Sequence, residues 1–262
     1  MSSLRPRVIP CLQFADGELF KTRRFKDPQY LGDPINAVKL FNDLECDELI
    51  VCDIRASRDH REPDYRMIEE FASEAFMPLT YGGGITQLEQ IRRILSIGIE
   101  KVVLGSAAIG GALVRAAADV FGAQSIVVSI DVHRNLFGRR DVYTVSGTKA
   151  AGIDPVQYAR QMQNSGAGEL FVQSIDLEGA RTGYDLALTR EIGAAVQIPV
   201  IACGGAGSLA HLGQVLHTPG VAAAAAGTMF VLHGKHRAPL ISYPRPAEIV
   251  ALARSPQALV DR

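Results

Sequence analysis

With 262 residues, 47% hydrophobic and 21% charged, the chain is long enough for a full α/β barrel and apolar enough to bury its core. A formal net charge of -1 excludes a basic field for nucleic acid, so any phosphate would be held by local backbone geometry and a few cations. No apolar run reaches bilayer length, the N-terminus lacks a hydrophobic signal core, and Cys11, Cys46, Cys52 and Cys203 form no C-x-x-C pair; the expectation is a cytoplasmic protein with reduced thiols, no metal and no cofactor.

Short apolar runs predict strands over 8–13, 48–53, 79–81, 101–104, 126–131, 169–174, 200–203 and 221–226. After the first strand, 14–32 carries Lys21, Arg23, Arg24 and Lys26 and is long for a structureless connection, which suggests a functional lid. Asp33-Pro34 then reads as N-cap and first-turn proline of a helix, and Asp154-Pro155 repeats the signal in the second half. Between strands five and six, 132–152 contains Val142-Tyr143-Thr144-Val145, read as a small hairpin, and 233–244 precedes a last helix near 246–254. Eight strands alternating with helices predict an α/β fold, a TIM (βα)8 barrel in one domain over 1–262. Its half-barrels are expected at about 1–122 and 123–244, with a terminal helix in 245–262.

That halving rests on an internal echo. Pro78-Leu79-Thr80-Tyr81 runs into Gly82, Gly83 and Gly84, and Pro199-Val200-Ile201-Ala202-Cys203 runs into Gly204 and Gly205. Gly105-Ser106 after the fourth strand is answered by Gly227-Thr228 after the eighth, again at an offset of roughly 120 residues. Glycine turns at strand ends let backbone N–H groups close on an anion, although tight backbone packing demands glycine just as well. Two cradles in one barrel would suit a phosphorylated small molecule with a phosphate at either end.

Equivalent side chains at the ends of strands one and five are Gln13 and Asp131, the natural place for an acid/base pair. Asp131 can shuttle a proton or cap the following loop; Gln13 can only bind or orient, because its amide does not ionise near neutral pH. At the opposite pole, Arg7, Glu48, Lys101 and Glu169 stand at the starts of strands one, two, four and six. Two cations and two anions facing inward would close an ion-pair ring, either finishing the core or gating a small neutral molecule. Among six histidines without metal-ligand spacing, His133 is the one placed to touch a substrate.

Over nearly its whole length the chain resembles the cyclase subunit (HisF) of imidazole-glycerol-phosphate synthase, through Cys11-Leu12, Asp16-Gly17, Gly32-Asp33-Pro34, Tyr81-Gly82-Gly83-Gly84-Ile85, Ser129-Ile130-Asp131, Ser174-Ile175-Asp176 and Cys203-Gly204-Gly205-Ala206-Gly207. The resemblance implies a HisH-like glutaminase partner, ammonia passing through the barrel, and Arg7, Glu48, Lys101 and Glu169 as the ammonia gate. It also implies cyclisation by aspartates ending strands one and five, and the first of these is Gln13 here. Other departures are Gly105-Ser106 for Asn-Thr and Glu178 for Asp. A gate kept and an acid lost resembles the paralogous WbuZ-type branch, which implies delivery of ammonia to a sugar amidotransferase in surface polysaccharide biosynthesis. Two alternatives are an active cyclase of histidine biosynthesis and a non-catalytic scaffold that regulates its partner.

Overall fold

The computed structural model describes residues 6–135, 137–234 and 236–253. In chain order the first half contains β1 (Arg7–Ala15), β2 (Glu18–Arg23), β3 (Lys26–Gly32), α1 (Pro34–Asp43), β4 (Leu49–Asp53), α2 (Tyr65–Glu74), β5 (Leu79–Gly82), α3 (Leu88–Ile97), β6 (Lys101–Leu104) and α4 (Ala112–Phe121). The second half contains β7 (Ile126–Arg134), β8 (Arg140–Thr144), β9 (Lys149–Ala150), α5 (Pro155–Asn164), β10 (Glu169–Ser174), α6 (Leu186–Ala195), β11 (Val200–Cys203), α7 (Leu209–Leu216), β12 (Val221–Ala226), α8 (Thr228–Val231), β13 (Leu232–His233), β14 (Ala238–Pro239) and α9 (Pro246–Leu252). Parallel pairing runs β1, β4, β5, β6, β7, β10, β11, β12 and back to β1, so eight strands close into a TIM barrel. All eight expected strands are present.

Local chemistry fixes the helices where the sequence places them. Asp33 accepts a hydrogen bond from Ile35 N at 2.7 Å ahead of Pro34, and Asp154 accepts from Val156 N and Gln157 N at 3.0 Å ahead of Pro155. The larger core lies between barrel and helices and includes Val8, Leu12, Phe41, Phe71 and Tyr158. A smaller cluster fills the barrel itself, with Ile9, Ile50, Val103, Phe171, Ile201 and the alanines of β12. Strand periodicity explains the split: on β1 residues 9 and 11 point in while 8 and 12 point out. The same inward face therefore carries Arg7 at the bottom of β1 and Gln13 at its top.

The expected lid at 14–32 is instead regular structure. β2 pairs antiparallel with β1, and β3 with β2, each through a two-residue turn. Asp16 and Gly17 have φ of 53° and 80°, the left-handed pair that a tight hairpin requires and that an Asp-Gly dipeptide supplies readily. The second turn is Arg24-Phe25 at φ 55° and 59°, where side chains cost about 1–2 kcal/mol per residue. That strain is met by contacts from the loop after β10: Arg24 N donates to Glu178 O at 3.0 Å, Phe25 N to Glu178 Oε2 at 3.1 Å, and Arg24 Nε to Asp176 O at 3.1 Å.

The hairpin expected within 142–145 also differs. Residues 140–144 form β8, which folds back on an extended β7, and the turn begins at Val145. The chain closes with Tyr243, whose hydroxyl donates to Val8 O at 2.8 Å, and with α9. The rest of the expected terminal segment, 254–262, and residues 1–5 of the expected N-terminus lie outside the described residues.

Candidate functional site

At the lower pole, strand starts bring Arg7, Glu48, Lys101 and Glu169 together. Arg7 grips Glu48 with a bidentate fork, Nε to Oε1 at 2.5 Å and a terminal nitrogen to Oε2 at 2.7 Å; its other terminal nitrogen meets Glu169 Oε1 at 2.5 Å. Lys101 Nζ reaches Glu169 Oε2 at 3.2 Å. Glu169 is buried and the other three are half-buried, so pairing here replaces lost solvation. Hydrogen bonding to Glu48 raises the Arg7 pKa further above its already high value. Arg7 holds both glutamates, whereas Lys101 is tied by one bond.

At the upper pole a cavity of about 810 Å³ opens among the strand ends. Gln13 and Asp131 both line it, together with Gly82, Gly83, Gly84, Gly105 and Ser106 from the first-half cradle. The turn glycines are needed for packing: a Cβ on Gly83, at φ 121°, would meet Asp53 O at 2.7 Å, and one on Gly84 would meet Arg61 O at 2.8 Å. Gly204 repeats this against Ser174 O at 2.7 Å. Gly204, Gly205, Gly227 and Thr228 surround only a void of about 20 Å³, room for one water.

Asp131 is sunk in the mouth and accepts a hydrogen bond from Ser129 Oγ at 2.7 Å. Burial pushes its pKa up to about 6, against the opposing pull of that hydroxyl. Its carboxyl thus titrates where proton transfer near neutrality is efficient.

Gln13 faces the same cavity, but its amide is already committed. Oε1 accepts from Thr22 N at 2.9 Å, Thr22 Oγ1 at 3.0 Å and Lys21 Nζ at 3.2 Å, while Nε2 donates to Glu178 Oε1 at 3.4 Å. Lys21 makes a close ion pair with Glu178, and both side chains are buried. Burial pulls the Lys21 pKa down to about 8.

The family model for histidine biosynthesis proteins matches residues 7–237. The chain belongs to that family. It is 50% identical over 242 residues, 92% of this chain and 96% of the relative, to a Pseudomonas aeruginosa protein provisionally named imidazole glycerol phosphate synthase subunit hisF2. A Vibrio vulnificus protein provisionally named subunit hisF3 is 46% identical over 247 residues, 94% of this chain and 95% of its own. A Leptospira interrogans protein provisionally named subunit HisF is 44% identical over 251 residues, 95% of this chain and 99% of its own. The protein is a HisF-like member of the imidazole glycerol phosphate synthase subunits.

In this HisF-like barrel one expected contact fails. His133 does not line the cavity; β7 runs past the barrel rim into its hairpin, and the ring bonds Asp176 Oδ1 through Nδ1 at 2.6 Å and packs edge-on against Tyr143. His60, from the loop after β4, lines the cavity instead. Sequence reasoning also gave Ser129 no role beside Asp131, although a residue two before Asp131 shares its face of the strand. It missed the clustering of Cys11, Cys52 and Cys203, which the closed barrel brings together in its interior, the half-buried Cys52 packing against the cluster that holds the other two. Their strands are far apart in sequence, so only closure of the barrel brings them together. No helix among the described residues is long and apolar enough to cross a membrane.

Proposed function

We propose that this chain is the barrel subunit of a glutamine amidotransferase complex. A HisH-like glutaminase docks at the lower pole, ammonia passes the gate of Arg7, Glu48, Lys101 and Glu169, and the mouth hands it to a sugar amidotransferase acting in surface polysaccharide biosynthesis. A phosphorylated small molecule binds at the mouth against Gly82, Gly83, Gly84, Gly105 and Ser106. Lys101, held by one bond, is the side chain that swings aside to open the ring.

The observation that carries this reading is Gln13. A group that neither gives nor takes a proton occupies the end of the first strand, and its oxygen accepts from three protein donors. Asp131 then works without a partner acid, and ring closure on an imidazole precursor should run about 10²–10⁴-fold below a barrel with both carboxylates. The test couples the barrel to its glutaminase and measures glutamine-dependent amidation of the acceptor. Lys101→Ala and Arg7→Ala are expected to uncouple glutamine hydrolysis from delivery; unchanged delivery in both removes the gate.

A second reading, an active cyclase of histidine biosynthesis, is favoured by Asp131 alone, placed in the cavity with a pKa near 6. Complementation of a strain lacking the cyclase separates the two. Growth without histidine supports the cyclase, and growth only with Gln13→Asp supports ammonia delivery.

A further inference from the structure

The two glycine cradles echo each other in sequence, yet the fold treats them differently. The first opens on the large cavity. Over the second lies Lys21, on β2, with its stem against Gly227: a Cβ there would meet Lys21 Cε at 3.1 Å. The ammonium has three hydrogens and three protein acceptors, Gln13 Oε1 at 3.2 Å, Thr22 O at 3.1 Å and Glu178 Oε1. It keeps no donor for a ligand. An anion entering beside it would also face the Glu178 carboxylate, which is 3% exposed and screened by almost no water.

The plug is fastened from outside. Glu178 Oε2 accepts from Phe25 N at the tip of the β2–β3 hairpin, and Glu178 O accepts from Arg24 N, so one residue holds both the lysine and the strained turn beside it. Thr228 Oγ1, buried without a hydrogen-bond partner, faces a void with space for one water and none for a phosphate. By contrast, the first cradle opens on the large cavity, which Lys26 and Arg58 also line, and Arg58 is exposed and makes no ion pair among the described residues.

We infer that the mouth takes a ligand with a single phosphate, seated at Gly83, Gly84, Gly105 and Ser106, and that Lys21 and Glu178 shut the second cradle. The ligand class is a phosphomonoester carrying one phosphate. A molecule with a phosphate at each end is excluded, because its second phosphate would have to break the Lys21–Glu178 pair. The inference rests on the reading of the first cradle as a phosphate site.

Equilibrium dialysis with radiolabelled inorganic phosphate on the full chain tests it. The parent is expected to bind one phosphate per chain. Ser57→Asp, whose new carboxylate would sit where the hydroxyl now lies 3.5 Å from Gly84 N, should weaken that site at least tenfold. Lys21→Ala/Glu178→Ala should add a second phosphate. Two phosphates on the parent overturn the closed cradle and leave the first-cradle reading standing. One phosphate that survives Ser57→Asp places the anion elsewhere and also overturns the inference. No phosphate on the parent removes the first-cradle reading and the inference with it. Because the parent and Ser57→Asp keep the hairpin latch intact, the result does not depend on the double variant folding.

Discussion

Glu178→Ala tests whether the latch holds the mouth together. Lys21 and Glu178 are 6% and 3% exposed, so solvent screening does not discount their pairing. Removing one partner of such a pair leaves an uncompensated buried charge and costs about 3–5 kcal/mol. Lys21 can escape part of that cost by shedding its proton, since burial already pulls its pKa to about 8, which favours the lower end, about 3 kcal/mol. The freed Phe25 amide adds to the loss at a turn already strained by positive φ. For a chain of this size about 3 kcal/mol corresponds to a fall in Tm of about 6–12 °C. Urea denaturation of Glu178→Ala, Lys21→Met and Lys21→Met/Glu178→Leu measures it directly. The double variant should recover more than half of the single loss, because no buried charge remains. A Glu178→Ala protein within about 0.5 kcal/mol of the parent would refute the pairing.

Asp131 makes stability fall with rising pH. Its folded pKa of about 6 lies above the unfolded value, so the native state binds the extra proton between about pH 4 and 6 and loses that advantage as pH climbs through 6. Asp131→Asn should therefore be more stable than the parent at pH 7 and nearly level with it at pH 4; parallel melting curves across that range would count against it. Gly83→Ala should lose at least about 2 kcal/mol or fail to fold, since its Cβ would lie 2.7 Å from Asp53 O at φ 121°. Chemical denaturation near that of the parent would show that the turn can relax.

Much of the barrel was legible because its signals are local. Alternating apolar runs located all eight strands, and Asp33-Pro34 and Asp154-Pro155 located two helix starts by a cap whose geometry needs no tertiary help. The hairpin at 14–32 was half legible. Asp16-Gly17 is a turn signal in its own right, but Arg24-Phe25 has no propensity for positive φ and is held there by a residue more than 150 positions away. The lower ring could be read from strand starts, because position along a strand fixes which pole a side chain occupies. The fate of Gln13 could not. Its partners Lys21 and Thr22 depend on the register of β2 against β1, and Glu178 depends on a loop from the other half of the barrel.

One strand touches both poles. The face of β1 that begins with Arg7 in the lower ring ends with Gln13 under the hairpin, six residue steps or about 20 Å away. β1 is thus a connecting rod fixed to a fork of glutamates at one end and to a polar clasp at the other. The proposed partner below and the proposed ligand above would therefore bear on the same piece of backbone.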